Sequence, residues 1–165
     1  MPTTGSSDMA GEDQIFAGDL SVGTEWQGPT RRLTQEDFAA FAKLTGDDHP
    51  IHYDADYAAR TRFGRPVAHG LLLMGLTALG AAPVSARLRD SMVALVSQSA
   101  DFLAPVMAGD TVTCSFSCSA VTPTRRAGQR RVTIDVTLTR QDGTRVLSGR
   151  HVYLLLTARS EGHSS

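Results

Sequence analysis

Val67-Ala68-His69-Gly70-Leu71-Leu72-Leu73-Met74-Gly75-Leu76-Thr77-Ala78-Leu79-Gly80-Ala81-Ala82 is the stretch whose reading decides the fold. Leu71, Leu72, Leu73, Met74, Leu76 and Leu79 leave a helix here with no polar face. A helix that is apolar all round has to be surrounded by protein. This one is too short to span a bilayer, which takes about 20 residues. Gly70, Gly75, Ala78 and Gly80 would let neighbouring backbone come close.

What surrounds the helix lies downstream. Met92 to Val96 is apolar on both faces. Val112, Cys114, Phe116, Cys118 and Ala120 then alternate with Thr111, Thr113, Ser115, Ser117 and Ser119. Val132, Ile134, Val136 and Leu138 alternate with Arg131, Thr133, Asp135, Thr137 and Thr139. Such a period of two marks half-buried strands. Gln141-Asp142-Gly143-Thr144 is a hairpin turn, because Asp-Gly readily takes positive φ, and a last strand follows over Arg145–Leu156. The pattern predicts an α+β domain, an antiparallel sheet wrapped around one central buried helix that begins near Val67–Gly70. This resembles the hot-dog arrangement.

Upstream, Gly23 to Leu33 reads as a first strand. Thr34 is an N-cap with Asp37 three residues on, a capping-box variant, and Phe38, Phe41 and Ala42 give helical spacing up to Leu44. Gly46 ends that helix and opens a polar loop. A second short helix runs from Asp54, its cap, through Arg60.

A chain of 165 residues with 41% hydrophobic content fits one domain with a real core. Residues 19–157 are expected to form it, with polar, flexible tails at 1–18 and 158–165. The net charge of −1 carries no basic excess and argues against nucleic acid as a partner. The pairs Arg31-Arg32, Arg125-Arg126 and Arg130-Arg131 read as solvated surface. Met1 to Glu12 has no cationic start followed by an apolar run, so neither a secretory signal nor a membrane span is expected, and the reading is cytoplasmic. Cys114 and Cys118, four apart on one strand, lie roughly 13 Å from each other. That is too far for a disulfide or a shared metal ion, and both read as small core side chains.

The chemistry gathers around that helix. Thr45-Gly46-Asp47-Asp48-His49-Pro50-Ile51-His52 places a carboxylate and an imidazole five residues apart in a Pro-containing loop, where they can act as an acid/base pair. Phe63-Gly64-Arg65-Pro66-Val67-Ala68-His69-Gly70 ends on a glycine whose N–H, at the mouth of the helix, can serve an oxyanion. These parts suit proton transfer beside a carbonyl. Asp48 reads as a loop residue and His69 as a hydrogen-bonding residue that shapes the Gly70 turn. Asp47, Asp48, His49 and His52 offer metal-binding atoms, but no third fixed ligand at normal spacing is evident, so no metal is expected.

Gly46-Asp47-x-x-Pro50-x-His52-x-Asp54 and Phe63-Gly64-x-Pro66-Val67-Ala68-His69-Gly70-Leu71 resemble the MaoC-like, (R)-specific enoyl-CoA hydratases. Asp101-Phe102-Leu103-Ala104-Pro105-Val106-x-x-Gly109-Asp110 matches the strand-to-turn signature of the same proteins. The likeness covers roughly Leu33 to Leu156. It implies that Asp47 and His52 hold one water between them, and that the Gly70 N–H, at the positive end of the helix, binds a thioester oxygen. Phe63, His49, His69 and Leu71 would line the substrate. No cofactor is implied, since coenzyme A or phosphopantetheine belongs to the substrate. The implied partners are an acyl thioester, a second copy of the chain in a homodimer, and an acyl carrier protein where the thioester is carrier-bound. One position departs from the pattern: His49 stands where the family has Asn, a residue that would brace the loop.

Two other functions compete. Hot-dog thioesterases carry a carboxylate on the central helix, and Val67 to Ala82 has none. A non-catalytic subunit of a biosynthetic complex rests only on His49, against an intact Asp47, His52 and Gly70.

Overall fold

The computed structural model describes residues 13–159. Five strands form one antiparallel sheet: β1 (Glu25–Arg32), β2 (Met92–Phe102), β3 (Thr111–Pro123), β4 (Gln129–Arg140) and β5 (Arg145–Leu156). Their order is β1-β3-β4-β5-β2, which leaves β1 and β2 at the edges. The alternation sets the faces. Cys114, Phe116 and Cys118 on β3 stand opposite Leu138, Val136 and Ile134 on β4, all on the core side. Both cysteines are free and buried there, and burial pushes the Cys114 thiol up to about 12. The Asp142-Gly143 turn joins β4 to β5, with Gly143 at φ +82° and its N–H on the Arg140 carbonyl at 2.9 Å.

Helix α1 (Gln35–Thr45) starts as its sequence dictates. The Thr34 side chain accepts from the Asp37 N–H, and the Asp37 carboxylate accepts from the Thr34 N–H at 2.9 Å. It ends at Gly46, which takes the left-handed conformation (φ 78°) that a β-carbon would oppose. Helix α2 (Ala55–Ala59) is capped by Asp54.

The central helix is shorter than the apolar run. Helix α3 spans only Gly70–Gly75, and two 3-10 turns, Leu79–Ala81 and Pro83–Ala86, continue the chain. Ahead of it Val67 bridges Met107 and the Ala68 N–H reaches the Val106 carbonyl at 2.8 Å, so the chain stays extended until His69. Beyond it, Gly75 is a poor helix former and the Thr77 hydroxyl donates to the Met74 carbonyl at 2.6 Å, diverting an acceptor the helix would need. Nor is the helix enclosed on every side in the single chain. Leu73 is buried and Leu72 and Leu76 pack against the core, but Leu71 is 61% exposed.

The expected N-terminal tail also ends earlier than residue 18. Phe16 and Ala17 are buried, and the Ile15 and Gly18 N–H groups bond to the Arg87 and Thr157 carbonyls at 2.7 and 3.0 Å. This short apolar step closes one end of the sheet. Residues 1–12 and 160–165 lie outside the described part. No helix among the described residues is long and apolar enough to cross a membrane.

Candidate active site

The loop after α1 is built turn by turn. The Gly46 N–H closes on the Ala42 carbonyl at 2.8 Å, and the Asp47 N–H donates to the Thr45 hydroxyl at 3.2 Å. Pro50 then starts a 3-10 turn, Pro50–His52. His49 is its N-cap: Nδ1 of its ring accepts from the Ile51 N–H at 3.3 Å. Its ring also meets Tyr57 edge-on at 5.6 Å. An imidazole nitrogen thus provides the brace expected of an amide oxygen.

The extended segment before α3 fixes His52. The Val67 N–H bonds to the Ile51 carbonyl, and the Val67 carbonyl lies 2.8 Å from His52 Nδ1. A carbonyl only accepts, so Nδ1 carries the proton and Nε2 keeps a free lone pair. By the same logic His69 donates from Nε2 to the Asp47 carbonyl at 3.0 Å. His69 is only 1% exposed, and its Nδ1 has no hydrogen-bond partner. Its ring stacks on His52, centroids 3.7 Å apart and planes 22° apart. Burial, first, and the neighbouring His52 hold its pKa below the ordinary value, against the opposing pull of the Asp47 carbonyl and carboxylate.

Side-chain donor atoms of Asp47, His52 and His69 therefore converge within 4.8 Å of one another. The sequence reading paired Asp47 with His52 and found no third group; the fold supplies one in His69. The three atom types could serve a metal, but the stacking does not favour it. Rings 3.7 Å apart and nearly parallel hold their in-plane lone pairs side by side. Metal ligation needs two such nitrogens converging at about 2.0–2.1 Å. The geometry suits proton transfer better, with Asp47 exposed, His52 half-buried and His69 beneath it.

Beside this cluster lies a cavity of about 300 Å³ whose walls include Phe63, Val67, Gly70, Leu73 and Phe102. A β-carbon at Gly70 would sit 3.1 Å from the Phe102 ring, close enough that the ring would have to shift by a few tenths of an ångström. As the first residue of α3, it has an N–H with no partner inside the helix. The helix has only six residues, so this amide, rather than a long macrodipole, is what it offers. Phe63 and Gly70 thus reach the cavity. Leu71 does not; it points outward, and Leu73 forms the wall in its place. His49 braces the loop and is not part of the lining. Sequence reasoning missed Phe102 and Arg62 as lining residues; only the presence of a glycine at 70 hinted at a large neighbour.

One five-stranded antiparallel sheet packed against a short helix defines a hot-dog domain. The chain belongs to the MaoC-like domain family, whose model matches residues 20–140. It is similar to the 3-hydroxybutyryl-CoA dehydratase of Methylorubrum extorquens, 34% identical over 122 residues that cover 74% of this chain and 75% of that one. It is 31% identical over 126 residues to the (R)-specific enoyl-CoA hydratase of Aeromonas caviae, covering 76% and 89% of the two chains. A solved structure, the (R)-hydratase from A. caviae involved in PHA biosynthesis, matches with a TM-score of 0.68 at 32% identity, over 81% of this chain and 96% of that one.

Proposed function

We propose that this protein interconverts 2-enoyl and (R)-3-hydroxyacyl thioesters by adding or removing water. The observation that carries the reading is the convergence of Asp47 and His52 with His69, the residue that precedes Gly70 of the cavity wall. The Asp47 carboxylate and His52 Nε2 are both acceptors, so together they hold both hydrogens of one water. As the water oxygen attacks the β-carbon, one of the pair takes its proton. Electron density moves to the thioester oxygen, where the Gly70 N–H receives it. The proton then passes from the pair to the α-carbon. Dehydration runs through the same steps in reverse. No cofactor takes part, because the thioester itself acidifies the α-carbon.

His69 serves the pair without meeting the substrate. It fixes the Asp47 backbone and supports the His52 ring, and burial holds its own pKa below the ordinary imidazole value. Thioester hydrolysis has no support in α3, which contains no carboxylate.

The working unit in this reading is a homodimer. Edge strand β2 exposes Val93, Leu95, Val96 and Phe102, and Leu95 is 52% exposed. An unpaired edge with apolar side chains on both faces associates unless it is covered. A second copy pairing β2 to β2 would cover this edge and Leu71, and would complete the cleft at Phe102. A monomer by light scattering that still turns over substrate would contradict this.

Hydration of crotonyl-CoA, followed by loss of enoyl absorbance, tests the activity. The expected product is the (R)-3-hydroxyacyl ester. A wild-type protein inactive on short, medium and carrier-bound enoyl thioesters would overturn the reading.

A further inference from the structure

Between α2 and α3 the chain carries Arg60, Arg62 and Arg65, three cations in six positions of a chain whose net charge is −1. Their loop is built rather than loose. The Thr61 hydroxyl donates to the Ala58 carbonyl at 2.7 Å and accepts from the Phe63 N–H at 3.2 Å. The Gly64 N–H reaches the Thr61 carbonyl at 3.2 Å, with Gly64 at φ 72°. The ion pairs among the described residues use Arg31, Arg140, Arg150 and Arg159, and none of these three.

Arg62 is exposed and also lines the cavity that contains Gly70, which places it at the cavity's rim. Its guanidinium lies 4.7 Å from the centre of the Phe63 ring, and that of Arg60 lies 5.9 Å from the Tyr57 ring. A guanidinium held over an aromatic face keeps its edge N–H groups free for a second ligand. The nearby acid Asp54 is committed to the Tyr57 N–H at 2.9 Å and does not neutralise the group. The Gly70 backbone forms part of the wall, Arg62 stands at the rim, and Phe63, Val67 and Phe102 line the same cavity.

We propose that Arg62, flanked by Arg60 and Arg65, seats the phosphate of a phosphopantetheine arm, the group that coenzyme A and acyl carrier proteins share. The proposal rests on the thioester reading above and adds where the far end of the substrate is held. Arginine suits the task because its fork donates two parallel hydrogen bonds to phosphate oxygens. A site at the rim keeps the phosphate partly hydrated, so binding weakens with salt.

Calorimetric titration with saturated esters tests this without turnover. The probes are butyryl-CoA, butyryl-phosphopantetheine and butyryl-pantetheine, the last with no phosphate. The wild type is expected to bind both phosphate-bearing esters at least about tenfold more tightly than the pantetheine ester, a gap of about 1.4 kcal/mol. Arg62→Gln should remove most of that gap, and Arg62→Lys should restore part of it. A phosphopantetheine ester that binds like the CoA ester places the recognition at the arm's phosphate. A preference seen only with the CoA ester moves it to the nucleotide and overturns the proposal. So does a gap that survives in an Arg60→Gln, Arg62→Gln, Arg65→Gln triple variant. Crotonyl-CoA turnover by the wild type is read separately, so loss of the phosphate site and loss of the hydratase reading are distinct results.

Discussion

His69 and His151 are each about 1% exposed, yet their surroundings differ in kind. His151, on β5, has both ring nitrogens partnered. Gln98 from β2 lies 2.7 Å from Nε2, the Thr77 hydroxyl 3.1 Å from the same atom, and the Tyr153 hydroxyl 3.1 Å from Nδ1. This network ties the edge strand and the chain after α3 to the sheet. His69 has one nitrogen on the Asp47 carbonyl and the other unpartnered, and its ring lies against a second imidazole. A buried polar atom without a partner opposes folding and needs a reason. Here the reason is position, since one side chain fixes both Asp47 and His52. The satisfied buried histidine ties elements of the fold together, and the unsatisfied one lies where the proposed catalytic pair is held.

The largest effect should come from the groups that His69 holds. Asp47→Asn and His52→Ala are each expected to lower enoyl-thioester hydration by at least about a hundredfold, with thermal midpoints near wild type. Full activity in both variants would break the contrast at once. Next comes His69 itself. His69→Leu should lower kcat by about tenfold through misplacement of the pair. His69→Gln keeps an N–H for the Asp47 carbonyl and should recover most of that loss. His151→Leu sharpens the comparison from the other side. It strands Gln98 and Tyr153, and should cost about 1–3 kcal/mol in chemical denaturation while turnover of the folded protein changes less than about twofold.

A smaller effect appears on acidification. Burial, the largest cause at both positions, holds His69 and His151 below the ordinary imidazole value of 6.5. The unfolded chain therefore takes up protons that the folded chain refuses. Full stability is present above pH 6.5 and is lost as the pH falls from there through the lower folded values. Denaturation at pH 7.5 and pH 5 should show this slope in the wild type and a flatter one in His151→Leu. The smallest effect is expected from His49→Asn. An amide oxygen can accept the Ile51 N–H bond as Nδ1 does, so turnover should change by less than about threefold. His49→Leu, with no acceptor, should do worse.

Local rules made much of this molecule legible in its sequence. The alternation in β3 and β4, the Asp142-Gly143 turn, the Thr34 cap and the Gly46 stop all depend on neighbours within a few residues, and all stand where those neighbours place them. The five-residue spacing of Asp47 and His52 was legible for the same reason. The end of α3 was not. It depends on Thr77, which sits in a polar network with partners from β2 and β5. Nor was the full length of β2, which runs on to Phe102 past two register shifts against β5. The stack of His69 on His52 joins residues 17 positions apart in sequence, and only the folded chain brings them together. Nor does apolar character say which way Leu71 faces: it lies on the side of the helix that a single chain leaves open.

The most direct test compares crotonyl-CoA hydration by Asp47→Asn, His52→Ala and the double variant. If the two groups hold one water, the double variant should be no slower than the slower single variant by more than about threefold. A double variant whose loss equals the product of the two single losses would mean that Asp47 and His52 act on separate steps, and would contradict the shared-water mechanism.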